Sequence, residues 1–313
     1  MPDKCDMRWF KQTFHEQIDA ALQDSPFTLD FMTALACQET GEVWPILRKS
    51  DLSLDRILEL CVGDTLDAPN RSAFPKNKAA LVAVANPDGQ AMFDLAHQLL
   101  VEMAQFVDSY KQVAKQANKF CHGYGIFQFD LQFFEDDPEY FLERQFANFD
   151  QCLAKAIGEL NSAQNKIPTL RNKTELTDRE MAFVAIAYNT GHFNPAKGLK
   201  QGFRPPGGLF YGEQIFDFNN QAKAVPLEDE TESLPFTVNA NGPLFKVKST
   251  QLNLRSEPCL DSGPASNIIA RLSQGDEVQA MTNQKVRGFL EVETKVGNER
   301  MRGFAFFNLL QPA

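Results

Sequence analysis

Apolar residues recur at helical spacings through roughly the first 220 residues and then switch to alternation. The first part predicts a helix over 8–23 and a second in "TLDFMTALACQETG", with Thr28 capping its N-terminus and Gly41 placed to close it in the left-handed region. A third helix is predicted over about 53–62. Phe93, Leu95, Leu99, Leu100, Met103, Phe106 and Val107 place a long amphipathic run over 90–118. Another helix is predicted over 138–164, starting at Pro138. The next opens on "TDRE", where Thr177 and Glu180 form a capping box, and runs through "MAFVAIAYNTG".

From residue 246 the period is two. The runs "FKVKSTQLNLRSEP", "NIIARLSQGDEVQAMT", "GFLEVETK" and "MRGFAFFNLL" are separated by Gly, Pro and Asn turns, which predicts a small all-β barrel. Between the two patterns lies an acidic, proline-containing stretch without helical period. The expected organisation is therefore multidomain: a mainly α domain over 1–224, a linker over 225–245 and a β domain over 246–313.

Composition narrows the function classes. The chain has 313 residues, 43% of them apolar, with 27 phenylalanines, so a sizeable core is expected. Net charge is −10, which argues against a general nucleic-acid partner, because phosphate binding needs a basic face. The charge is uneven: 9 Lys and Arg meet 7 Asp and Glu from residue 246 onward, against 22 and 34 before it. No signal-peptide run and no membrane span is visible, so synthesis in the cytoplasm is expected, with any work outside it needing another route. The six cysteines lack metal-like spacing and are expected to be mostly reduced and buried. No metal or other cofactor is expected: His15, His97, His122 and His192 are scattered, and the neighbours Cys121 and His122 make a poor nucleophile and base pair.

Three short pieces are candidates for chemistry. On the second helix the apolar stripe Met32, Leu35, Ala36 continues at i+3 and i+4 onto Glu39. Burial beside apolar groups and the negative end of the helix dipole both favour its protonated form, as a general acid requires. A helix-end glutamate that turns out to water is the plain alternative, and Glu42 is a nearby competitor. "GYGIFQFD", residues 123–130, combines two glycines, aromatic walls and the polar Gln128 and Asp130; alone it reads as a buried hairpin edge or as a sugar-binding wall. "AYNTG", residues 187–191, reads alone as a helix end.

Taken in order, "QETG", "GYGIFQFD" and "AYNTG" resemble the lysozyme-like superfamily shared by goose-type lysozymes and lytic transglycosylases. The anchors are Glu39, Gly123, Gly125, Gln128, Asp130, Tyr188, Asn189 and Gly191. The resemblance implies that Glu39 is the catalytic acid and that Asp130 helps to hold an attacking water. It further implies that Tyr124, Gln128, Tyr188 and Asn189 contact the substrate. Residues of about 60–118 become a helical insertion, and the goose-type aspartate that precedes the glycine motif has no counterpart in "NKFCH". The C-terminal part resembles bacterial SH3-like cell-wall-binding domains in "LNLRSEP", "IIARLSQGDEV" and "RGFAFFNLL", with Phe304 where that family has tryptophan.

The implied activity is that of a muramidase, cleaving the β-1,4 bond between N-acetylmuramic acid and N-acetylglucosamine in peptidoglycan glycan strands. A lytic transglycosylase forming 1,6-anhydro products and a non-catalytic wall-binding protein are the alternatives. Delivery as an endolysin or as an antibacterial toxin acting in the periplasm or on the wall of a target cell would suit this pair of domains. In the second case an immunity or inhibitor protein would occupy the cleft.

Overall fold

In a computed structural model of the chain, all residues are described except 51, 228–241, 260–266, 287 and 298; of residues 283 and 284 only the backbone is. The expected linker over 225–245 thus lies largely outside the described residues. The chain divides into a helical unit, Met1–Pro2 with Trp9–Val225, and a β unit, Asp3–Arg8 with Pro226–Ala313. A helical region followed by an antiparallel β region agrees with the change of hydrophobic period. The return of residues 3–8 to the β unit had no signature in that pattern.

The helices are α1 (Lys4–Ala21), α2 (Leu29–Thr40), α3 (Trp44–Leu47), α4 (Leu54–Glu59), α5 (Lys78–Val82), α6 (Gly89–Met103), α7 (Pro138–Leu142), α8 (Phe149–Asn165), α9 (Asp178–Thr190) and α10 (Tyr211–Lys223). Helix α2 is buried from Phe31 to Cys37, on every face, so it runs through the core rather than over it. It packs chiefly against α10. Phe10, Phe14, Phe127 and Phe149 form a ring cluster in the core, with Phe14 and Phe149 stacked at 3.8 Å.

Thr28 caps α2 by accepting from Phe31 N–H at 3.2 Å, and the Thr177–Glu180 capping box opens α9. Gly41 differs from expectation: its φ is −65°, right-handed. Its smallness serves packing instead, since a Cβ there would lie 2.0 Å from the Cys37 carbonyl and 2.7 Å from Pro2. The run over 90–118 is α-helical only to Met103, followed by single 3-10 turns at Asp108–Tyr110 and Val113–Lys115. From residue 108 to 119 no residue is buried, so a helix there would lack the packing that stabilises short helices in water. The predicted helix over 138–164 is two, α7 and α8. Arg144 turns left-handed at φ 56°, and Asn148 starts α8 by capping Gln151 N–H.

A small antiparallel sheet joins β1 (Val62–Gly63), β2 (Gly123–Tyr124) and β3 (Phe129–Asp130) in that order. Val62 pairs with Tyr124, and Tyr124 with Phe129. The second unit holds β4 (Leu244–Val247), β5 (Gln251–Arg255), β6 (Ile268–Ser273), β7 (Glu277–Val286), β8 (Phe289–Val296), β9 (Glu299–Phe306) and β10 (Leu310–Pro312). They form one antiparallel sheet in the order β10-β4-β7-β8-β9-β5-β6. Its core is aliphatic, with Val247, Leu252, Leu254, Leu272, Val278, Leu290 and Val292 turned inward. Cys5 and Cys259 of this unit are joined by a disulfide, whereas Cys37, Cys61, Cys121 and Cys152 are buried and outside that bond. Among the described residues no helix is long and apolar enough to cross a membrane.

Candidate active site

The helical unit carries a cleft of about 980 Å³ lined by Glu39, Glu42, Asp64, Asp130, Glu159, Arg71 and Lys166 among others. Its excess of carboxylates disfavours polyphosphate ligands such as nucleic acid.

Glu39 reaches the cleft from the last turn of α2. The side chain is only partly accessible, and enclosure by protein pushes its pKa from 4.5 up to about 7. A hydrogen bond from Tyr211 to its carboxylate, Oη to Oε1 at 2.5 Å, opposes that rise without cancelling it. Tyr211 is the first residue of α10, the helix packed along α2. Glu42, by contrast, is exposed at the rim. Glu39 therefore keeps a proton well above the usual carboxylate range, as a general acid requires.

The three sequence pieces meet at one turn. Thr40, next to Glu39, donates to the Ile126 carbonyl at 2.6 Å, and Tyr188 of "AYNTG" donates to the adjacent Phe127 carbonyl at 2.6 Å. The turn itself closes through Gln128 N–H to Gly125 O at 3.0 Å. Gly125 has φ 75°, and a Cβ there would lie 2.5 Å from Cys152 Sγ, so this glycine is needed both for backbone hand and for space. Gln128 is also left-handed, at φ 55°. Its Nε2 donates to Gly125 O at 2.9 Å and to Cys61 O at 3.3 Å. The side-chain oxygen lies over Gly123, where a Cβ would stand 2.2 Å from it.

Glu39, Asp130, Gln128, Tyr188 and Asn189 all border the cleft. Tyr124 does not. It is fully buried, its hydroxyl donates to the Cys121 carbonyl at 2.8 Å, and its ring packs on Phe141 and Phe146. The expectation that it touches substrate is therefore corrected: β2 turns successive side chains to opposite faces, and Tyr124 falls on the core side. Gln128 contacts the cleft but spends both of its N–H groups on backbone carbonyls, so it staples the turn. Asn189 is exposed, and Gly191 ends α9 at φ 79°.

Asp130 is held rather than free. Its Oδ1 accepts from Arg71 Nη2 at 2.6 Å and from Gln132 N–H at 2.7 Å. Arg71 also donates to Asp64 Oδ2 at 3.1 Å and to the Phe74 carbonyl at 3.0 Å. Burial raises the pKa of Asp64. Arg71, Asp64 and Tyr211 were missed in the sequence: "NRSAF" and "LFYGEQ" have no distinguishing spacing, and only the fold brings them to the cleft. Among the described residues no group of three or more His, Cys, Asp or Glu is arranged to hold a metal ion.

Comparison with protein-family models, curated proteins and solved structures finds no match to this chain.

Proposed function

We propose that this chain is a peptidoglycan-cleaving glycosidase of the lysozyme-like kind, a muramidase whose general acid is Glu39. Support comes above all from the Glu39 carboxyl: it is enclosed at a cleft, retains its proton to about pH 7, and is oriented by the Tyr211 hydroxyl. The direct bonds that tie "QETG" and "AYNTG" to the turn of "GYGIFQFD" support the resemblance from which the substrate is taken.

In this reaction Glu39 protonates the oxygen of the β-1,4 linkage as its bond to the anomeric carbon breaks, while water near Asp130 attacks that carbon and passes its proton to the Asp130 carboxylate. Both bonds to Asp130 fall on Oδ1, so Oδ2 is the oxygen that orients the water. The β unit is proposed as an SH3-like wall-binding module, which would raise the effective concentration of glycan at the cleft. Delivery to a target cell wall, and an inhibitor protein that plugs the cleft, belong to the same proposal.

The engagement of Asp130 by Arg71 favours a second reading. If Asp130 is structural, Glu39 acts alone, the sugar's own 6-hydroxyl attacks, and the enzyme is a lytic transglycosylase. Digestion of purified peptidoglycan followed by mass spectrometry tests both. Reducing-end muropeptides that disappear in Glu39→Gln and fall sharply in Asp130→Asn support hydrolysis. Products lighter by one water, with Asp130→Asn near the parent rate, support the transglycosylase. Binding without cleavage, unchanged in Glu39→Gln, would overturn both.

A further inference from the structure

Among the described residues, the large apolar side chains left strongly exposed include one aromatic ring, Phe203, at 75% exposure. It is not on a loose tip. Its carbonyl accepts from Tyr211 N–H at 2.9 Å, and Gly212 N–H donates to the Gln201 carbonyl at 3.1 Å. Buried Gln201 binds the backbone of Asn194 and Gly198 through its side chain. Gly202, at φ 81°, sits where a Cβ would lie 2.5 Å from Tyr211 Cβ, so the residue before Phe203 is clamped against α10. The backbone that carries the ring is thus held in place, and a ring left in water loses the burial that would otherwise stabilise the fold.

Phe203 borders the same cleft as Glu39 and is bonded through its backbone to the residue that holds Glu39. A pyranose ring offers a face of C–H groups that packs flat on an aromatic ring, removing apolar surface of both from water. Phosphates gain nothing from such a surface, and the acidic lining repels them. We infer that Phe203 is a substrate-binding platform on which an N-acetylhexosamine ring of the glycan stacks. The inference rests on the glycosidase reading given above.

The test uses the full chain and soluble, uncrosslinked peptidoglycan glycan strands. Calorimetric affinity is measured for Glu39→Gln with and without Phe203→Ala, and turnover for the parent, Phe203→Ala and Phe203→Trp. Phe203→Ala is expected to weaken binding and raise KM by roughly tenfold, the size of one stacking contact, with kcat within about twofold. Phe203→Trp is expected to restore both. Thermal melts of the three proteins should coincide, because the ring is already in water. If the parent cleaves glycan and Phe203→Ala matches it in KM and affinity, the platform is wrong and the glycosidase reading stands. If Phe203→Ala lowers kcat with KM unchanged, the platform is equally wrong. If the parent neither binds nor cleaves glycan, the glycosidase reading fails and takes the platform with it.

Discussion

Under the proposed function, Glu39 couples catalysis to stability through one proton. Its pKa is about 7 in the fold and near 4.5 in the unfolded chain, so between those values the folded state holds the proton that the unfolded state has released. Stability therefore falls as pH rises from 4.5 to 7, by on the order of 3 kcal/mol in total, and is flat outside that window. Glu39→Gln removes the titration and keeps an acceptor for Tyr211. The variant should melt at the same temperature as the parent near pH 4 and progressively higher towards pH 8, while its rate falls by about 10²–10⁴-fold. A melting difference that ignores pH would contradict the burial of this carboxyl. Tyr211→Phe removes a donor that favours the ionised form, so the descending limb of kcat/KM at neutral to alkaline pH should move upward. An unmoved limb would mean that the hydroxyl does not bind Glu39 in solution.

Among elements, the small sheet and its turn position the cleft wall, and their tolerance is set by two glycines. Gly123→Ala would drive a methyl group to 2.2 Å from the Gln128 side-chain oxygen, which cannot swing aside without breaking the bonds from Nε2 to Gly125 O and Cys61 O. A loss of about 1–3 kcal/mol is expected. Gln128→Ala opens that space, so the double variant should lose less than the sum of the singles, by at least about 0.5 kcal/mol in urea denaturation. Strict additivity would show that the two side chains do not meet. Helix limits carry a related lesson. Thr28 and the Thr177–Glu180 box were legible because caps are local chemistry. The break at Arg144 and the end of α6 at Met103 were not, because apolar spacing continues past both and only burial decides whether a turn of helix is worth keeping.

For the whole molecule, two units with different hydrophobic periods are joined in one chain, and the β unit is cross-linked from Cys5 to Cys259. Alkylation of the unfolded, unreduced chain should modify the four thiols of Cys37, Cys61, Cys121 and Cys152. All six cysteines should react after reduction, as intact mass would show. Six modified without reductant would exclude the pairing. Such a bond could not be foreseen, because 254 residues separate its ends and spacing reports nothing at that range. What the sequence determined by itself was the class of each unit, the caps at Thr28 and Thr177 and the candidacy of Glu39, since period and capping act over a few residues. Tertiary structure alone decided that Tyr124 belongs to the core, that Arg71 holds Asp130, and that Tyr211 meets Glu39 across 172 residues. Burial and hydrogen bonding between distant segments depend on which faces the packed helices present to one another, and no local pattern encodes that.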